Sequence, residues 1–142
     1  PISMPQLVTY LSFTGNCKAA MTFYQNCLGG ELHFRTLGES PMGNELPDGM
    51  KDRVLQATLK RDDLVLMGTD LVEEDGLKNG NSVSIMLNCK TETELREYYQ
   101  KLALGGTNTY EIRPTFWGAL FGSLTDRFEN RWLFYCSSRT KI

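Results

Sequence analysis

Two stretches decide the fold: Asn16 to Gly30, NCKAAMTFYQNCLGG, and Thr91 to Gly106, TETELREYYQKLALGG. In the first, Asn16 can cap a helix whose Ala20, Phe23, Tyr24, Cys27 and Leu28 form an apolar stripe. In the second, Thr91 and Glu94 make a capping box, and Leu95, Tyr98, Tyr99 and Leu102 recur at the helical period. Each helix ends on Leu-Gly-Gly, at Leu28-Gly29-Gly30 and Leu104-Gly105-Gly106, where glycine takes the left-handed conformation at little cost. A strand precedes each, Leu7 to Phe13 and Val83 to Leu87. The ordered pair predicts an internal repeat.

Working outward, the first helix is followed by strand patterns at Glu31 to Thr36, Val54 to Lys60 and Leu64 to Met67, with Arg61-Asp62-Asp63 as a hairpin turn. The second is followed by Thr107 to Ile112, a segment around Trp117 to Leu124, and Arg131 to Cys136, with Asp126 to Asn130 as turn. Both halves read βαβββ. We expect an α+β fold with a first module at 1–70, a linker at 71–81 and a second module at 82–142, together one domain, since neither half alone buries enough surface. Between Leu37 and Asp52, the residues Gly38, Pro41, Gly43, Pro47 and Gly49 predict a long loop able to act as a lid. The run Glu73-Glu74-Asp75-Gly76 reads as a solvated part of the linker.

The chain has 142 residues, 41% hydrophobic and 23% charged, with a formal net charge of -2 from 15 basic and 17 acidic side chains. That balance fits a compact globular protein, and no basic stripe suits a phosphate backbone, so nucleic acid is not an expected partner. No apolar run approaches the roughly 20 residues of a bilayer span, and Pro1 to Pro5 lacks the pattern of a signal peptide. A cytoplasmic protein without membrane contact is expected. Cys17, Cys27, Cys89 and Cys136 are widely spaced with no CxxC pair, so buried free thiols are expected instead of disulfides or a zinc site.

Strand alternation separates two faces. Leu55, Ala57 and Leu59 alternate with Gln56, Thr58 and Lys60, and Val83, Ile85 and Leu87 with Ser82, Ser84 and Asn88. In curved mixed sheets with helices on the convex side, the mixed face would line a pocket holding Gln56, Thr58, Ser84 and Met86. The last strand separates Trp132, Phe134 and Cys136 from Leu133, Tyr135 and Ser137, and the first separates Val8 and Tyr10 from Thr9, Leu11 and Phe13. Pocket-lining candidates are therefore Thr9, Leu11, Gln56, Thr58, Met67, Asp70, Ser84, Met86, Trp117, Phe121, Leu133 and Tyr135.

Residues along nearly the whole chain are similar to the PhnB-like branch of the vicinal oxygen chelate superfamily, the glyoxalase, bleomycin-resistance and dioxygenase group. The resemblance rests on Tyr10-Leu11-Ser12-Phe13, Gly15-Asn16, Ala19-Ala20, Phe23-Tyr24 and Leu28-Gly29-Gly30, then Leu66-Met67-Gly68-Thr69-Asp70. It continues through Phe116-Trp117-Gly118-Ala119, Phe121-Gly122 and Thr125-Asp126-Arg127-Phe128 to Trp132. It implies paired βαβββ modules enclosing a small-molecule pocket, within a homodimer. Many members carry the description of a 3-demethylubiquinone-9 3-methyltransferase, yet no GxGxxG loop opens a helix here, which argues against methyl transfer.

Metal-using relatives place His or Gln early in the first strand, His in the fifth and Glu in the last. The resemblance maps these to Thr9, to Ser84 or a neighbour, and to Leu133, none a good ligand. The one histidine, His33, alternates with Glu31 and Arg35 on a strand and reads as incidental. Many members have His where Gln56 stands; Gln56 can hydrogen-bond a ligand but cannot titrate. Glu129 stands where the family commonly has Gly, and Asn130 is expected to supply the left-handed residue of that turn.

The expected function is metal-independent binding of a small, partly aromatic or amphipathic molecule by Trp117, Phe121, Met67, Gln56, Thr58 and Ser84, with no cofactor. The alternative is an enzyme of the isomerase, lyase or transferase kind using Asp70, Glu111, Tyr135 or a metal held in an unusual way. Nucleophilic catalysis by Cys89 or Cys136 lacks a motif linking either to His33 as base. A purely structural role has nothing arguing for it directly.

Overall fold

The structure is a computed structural model, and it describes residues 5–72 and 76–137, with the Asn108 side chain excepted. Residues 1–4 and the Glu73-Glu74-Asp75 part of the linker lie outside the described residues. The chain divides into two compact units, Pro1–Leu77 and Lys78–Ile142.

The first unit runs β1 (Thr9–Ser12), α1 (Cys17–Leu28), β2 (Glu31–Thr36), α2 (Asp48–Lys51), β3 (Val54–Arg61) and β4 (Leu64–Thr69). Its sheet has the order β1-β4-β3-β2, with β1 parallel to β4 and the other pairs antiparallel. The second unit runs β5 (Ile85–Cys89), α3 (Glu92–Leu102), β6 (Thr107–Pro114), β7 (Leu120–Thr125) and β8 (Arg131–Cys136). Its order is β5-β8-β7-β6, with β5 parallel to β8. The βαβββ repeat is thus realised twice with one topology, in an α+β fold.

Each sheet buries one face under its helix. In the first, Ala57, Leu59 and Leu66 are fully or nearly fully buried, and Gly68 leaves only the room taken by Cys17, Met21 and Phe13. In the second, Leu120, Leu124, Trp132, Phe134 and Cys136 occupy the equivalent face, and Tyr99 of α3 meets Phe134 edge-on at 5.1 Å. Each aliphatic side chain so buried contributes about 1.5–3 kcal/mol, which is what holds a helix to its sheet. All four cysteines lie buried as thiols.

The helix ends depart from the sequence reading in two places: α3 stops at Leu102, two residues short of Leu104-Gly105-Gly106, and α1 is not capped by Asn16. Thr91 does cap α3, its hydroxyl accepting from the Glu94 amide at 3.2 Å. Asn16 makes no side-chain cap for α1. The carboxylate of Asp70 does that work from the end of β4, its Oδ1 accepting from the Cys17 amide at 2.9 Å and the Gly15 amide at 3.0 Å. The α1 C-terminus is closed by an arginine from the adjoining hairpin: Arg61 Nη1 donates to the Leu28 carbonyl at 2.6 Å, a cation at the negative end of the helix dipole. In the second unit Arg127 Nε donates to the Leu104 carbonyl at 3.1 Å, in the turn two residues past the end of α3.

Several boundaries move. The first strand is shorter than Leu7 to Phe13, and β5 begins after Val83, which is 77% exposed. Trp117 precedes β7 in a turn closed by the Thr115 amide on the Ala119 carbonyl at 2.8 Å, with Gly118 at a positive φ of 90°. The 37–52 segment is not a structureless loop. It holds 3₁₀ turns at Leu37–Glu39 and Gly43–Glu45 besides α2, and Gly43 is buried so closely on the Gly38 carbonyl that a side chain there has no space. The left-handed residue of the last hairpin is Glu129 itself, at φ 69°, and not Asn130.

Candidate functional site

Residues paired across neighbouring strands point to the same side of a sheet, so the register sorts each candidate. On the helix-free face of the first unit, Tyr10, Met67, Thr58 and His33 form one row across β1, β4, β3 and β2. Gln56 pairs with Arg35 in the next row. Gln56, Thr58 and Met67 are half-buried there, whereas the His33 side chain is 77% exposed and lies 3.8 Å from the Glu31 carboxylate.

Three candidates in this unit are corrected. Thr9 pairs with Leu66 and Leu11 with Gly68, so both lie on the face toward α1, opposite Gln56 and Thr58. The reason is Phe13, whose ring must reach the core between Cys17 and Gly68 and which carries Thr9 and Leu11 to the same side by alternation. Asp70 is buried, and besides its two α1 amides it accepts from the Val54 amide at 2.8 Å through Oδ2. With three backbone donors on one carboxylate, Asp70 fastens the α1 N-terminus to β3 and is a structural residue, not a lining one.

The second unit presents a more distinctive face. Asn88, Tyr135, Phe121 and Arg113 form one row across β5, β8, β7 and β6, and Met86, Leu133, Ser123 and Tyr110 form the next. Trp117 is brought to this row from the β6–β7 turn, its Nε1 donating to the Tyr135 hydroxyl at 2.9 Å while the side chain stays 58% exposed. Phe116 packs edge-on against Trp117 at 4.8 Å. The guanidinium of Arg113 lies 5.6 Å from the centre of the Tyr110 ring. Met86, Trp117, Phe121, Leu133 and Tyr135 are therefore brought together on one face. Ser84 is not among the paired residues, since β5 starts one residue after it.

Asn88, Tyr110, Arg113 and Ser123 belong to this face and were missing from the candidates. Asn88 was legible by alternation with Met86. Tyr110 and Arg113 were not, because β6 carries irregularities between Thr107 and Tyr110 and between Tyr110 and Arg113, so residues three apart share a face. On the helix side, burial first and the charge of Glu111 second push the Tyr99 phenol of α3 up.

Residues 6–134 match the family model of the Glyoxalase/Bleomycin resistance protein/Dioxygenase superfamily. The chain belongs to this superfamily. Protein YjdN of Escherichia coli K12 is 28% identical over 137 residues, 89% of this chain and 92% of that protein. The crystal structure of PA1353 from Pseudomonas aeruginosa has a TM-score of 0.82 at 34% identity, covering 95% of this chain and 99% of that one. A PhnB protein from Bacillus cereus shares the fold with a TM-score of 0.68 at 21% identity, covering 93% and 99%.

Metal-using members of the superfamily need imidazole and carboxylate donors converging on one ion. Of the positions the likeness assigns, Thr9 faces α1, Ser84 lies outside the sheet and Leu133 is a hydrocarbon. Among the described residues no three His, Cys, Asp or Glu side chains gather in a way that could hold an ion. The residues present do not fit such a metal. Nor is any helix of the described residues long and apolar enough to cross a membrane.

Proposed function

We propose that this member of the superfamily binds a small molecule on the helix-free faces of its sheets without a metal ion. One observation carries the reading: Trp117 is fixed by the Tyr135 hydroxyl beside Phe121, so an exposed indole is held in place where a mobile side chain would otherwise cost entropy on binding. Gln56, Thr58 and Met67 supply a second set of half-buried contacts in the first unit. An enzymatic role has less support, since Asp70 is taken up by three backbone amides. We further read the protein as a cytoplasmic homodimer, on the strength of the family likeness.

A thermal-shift screen of a metabolite library tests this. Binders should raise the midpoint of the wild type and lose that effect in Trp117→Ala, with Ni, Mn and Zn ions giving no stoichiometric stabilisation. An ion that binds one-to-one and stabilises the fold would sink the metal-free reading. Light scattering of the purified protein tests the dimer.

A further inference from the structure

We infer that the second unit's open face takes a planar aromatic carboxylate, its ring against Trp117 and Phe121 and its carboxylate on Arg113. This rests on the small-molecule reading above and names the ligand's chemistry. The row Arg113, Phe121, Tyr135 crosses three adjacent strands, so from guanidinium to phenol it spans on the order of 10 Å, the length of a two-ring aromatic acid. Its order is a cation, an apolar ring and a hydroxyl.

The cation is positioned and available. Arg113 rests against the Tyr110 ring, which orients the planar fork without neutralising it. No ion pair of Arg113 is found among the described residues. A guanidinium presents parallel N–H donors that match a carboxylate two to two, which a neutral amide or ester cannot reproduce. The aromatic wall is positioned as well. Because the Trp117 Nε1–H is spent on the Tyr135 hydroxyl, the indole offers the ligand its π face and not its donor. The hydroxyl, accepting there, keeps its own proton to donate to a substituent on the ring. A cationic ligand would meet like charge at Arg113, and an aliphatic acid would leave the Trp117 face unused.

The test uses 2-naphthoate, its neutral counterpart 2-naphthamide and the aliphatic cyclohexanecarboxylate, with the Trp117 indole N–H resonance as readout. Only 2-naphthoate should move that resonance saturably at sub-millimolar concentration. Arg113→Met should weaken it about tenfold or more and Arg113→Lys less, and in Trp117→Leu, followed through the fluorescence of 2-naphthoate itself, the stacking contribution should be lost. Because Arg113 is exposed, these variants should fold, as the buried Trp132 resonance checks. Equal binding of the amide, or no effect of Arg113→Met, overturns the carboxylate class and leaves the small-molecule reading intact. No binding of any of the three overturns the aromatic acid; hits of other chemistry in the library screen would then uphold the broader reading separately.

Discussion

The two units repeat one skeleton, and each contains a buried carboxylate with three N–H donors, yet the carboxylates do different work. Asp70, past the end of β4, accepts from the amides of Gly15, Cys17 and Val54, tying a helix start to a strand. Asp126, past the end of β7, accepts from the amides of Phe128 and Asn130 and from the Trp132 indole at 2.8 Å, tying a hairpin to the core. In the second unit the helix start needs no distant help, because Thr91 caps it from the adjacent position. A repeated topology therefore fixes where backbone groups are left without partners, while each half finds its own side chain to satisfy them.

Removing either carboxylate should break its unit at a different place. Asp70→Ala and Asp126→Ala each leave buried N–H groups without an acceptor, and each should lower stability by about 3 kcal/mol in chemical denaturation. Amide exchange distinguishes them: Asp70→Ala should expose Gly15, Cys17 and the start of β3, and Asp126→Ala the β7–β8 turn. If both variants loosened the same amides, the division of labour between the two carboxylates would be wrong.

The second comparison is between thiols. Cys17 in the first unit is pushed up to about 12, by burial and then by Asp70. Cys89 in the second is likewise pushed up to about 12, by burial, then Glu94 and Cys136. In the unfolded chain both ionise near 8.5, so between that value and 12 the unfolded state has fewer protons and alkali favours it. The stability is fully present below the unfolded value and is lost as pH rises toward the folded one. Each thiol should steepen the decline by up to about 1.4 kcal/mol per pH unit, with Tyr99 acting in the same sense. Denaturation between pH 8 and 11 should show a flatter loss in Cys17→Ala or Cys89→Ala than in wild type. A thiol reagent should label neither in the native state at pH 8.

Most of the skeleton was legible in the sequence because helix periodicity, Leu-Gly-Gly stops and strand alternation are local properties. β8 and β2 lie where alternation put them, and the split of Trp132, Phe134 and Cys136 from Leu133 and Tyr135 follows directly. The misread positions depend on partners distant in sequence. Asn16 looks like a cap until Asp70 arrives from 54 positions later, and Thr9 and Leu11 change sides once Phe13 is seen to fill the core. Arg113 and Tyr110 share a face only through irregular pairing, which no period of two reveals.

The smallest effect concerns the hairpin turns, where each unit puts a residue other than glycine in the left-handed region. Asp62 does so in the first, at φ 51°, and Glu129 in the second, at φ 69°. The two are unequal, because a short Asp side chain tolerates this region and a Glu side chain gains no local hydrogen bond there. Glu129→Gly should therefore stabilise the second unit by about 0.5–1 kcal/mol, the relief of strain exceeding the freedom glycine adds to the unfolded chain. Asp62→Gly should give only about a few tenths. The turn bond from the Glu129 amide to the Asp126 carbonyl, 2.9 Å, survives the change, so the gain is one of backbone conformation alone. Measured midpoints in the reverse order would show that the strain lies in the first hairpin, and that Glu129 is held by more than its turn.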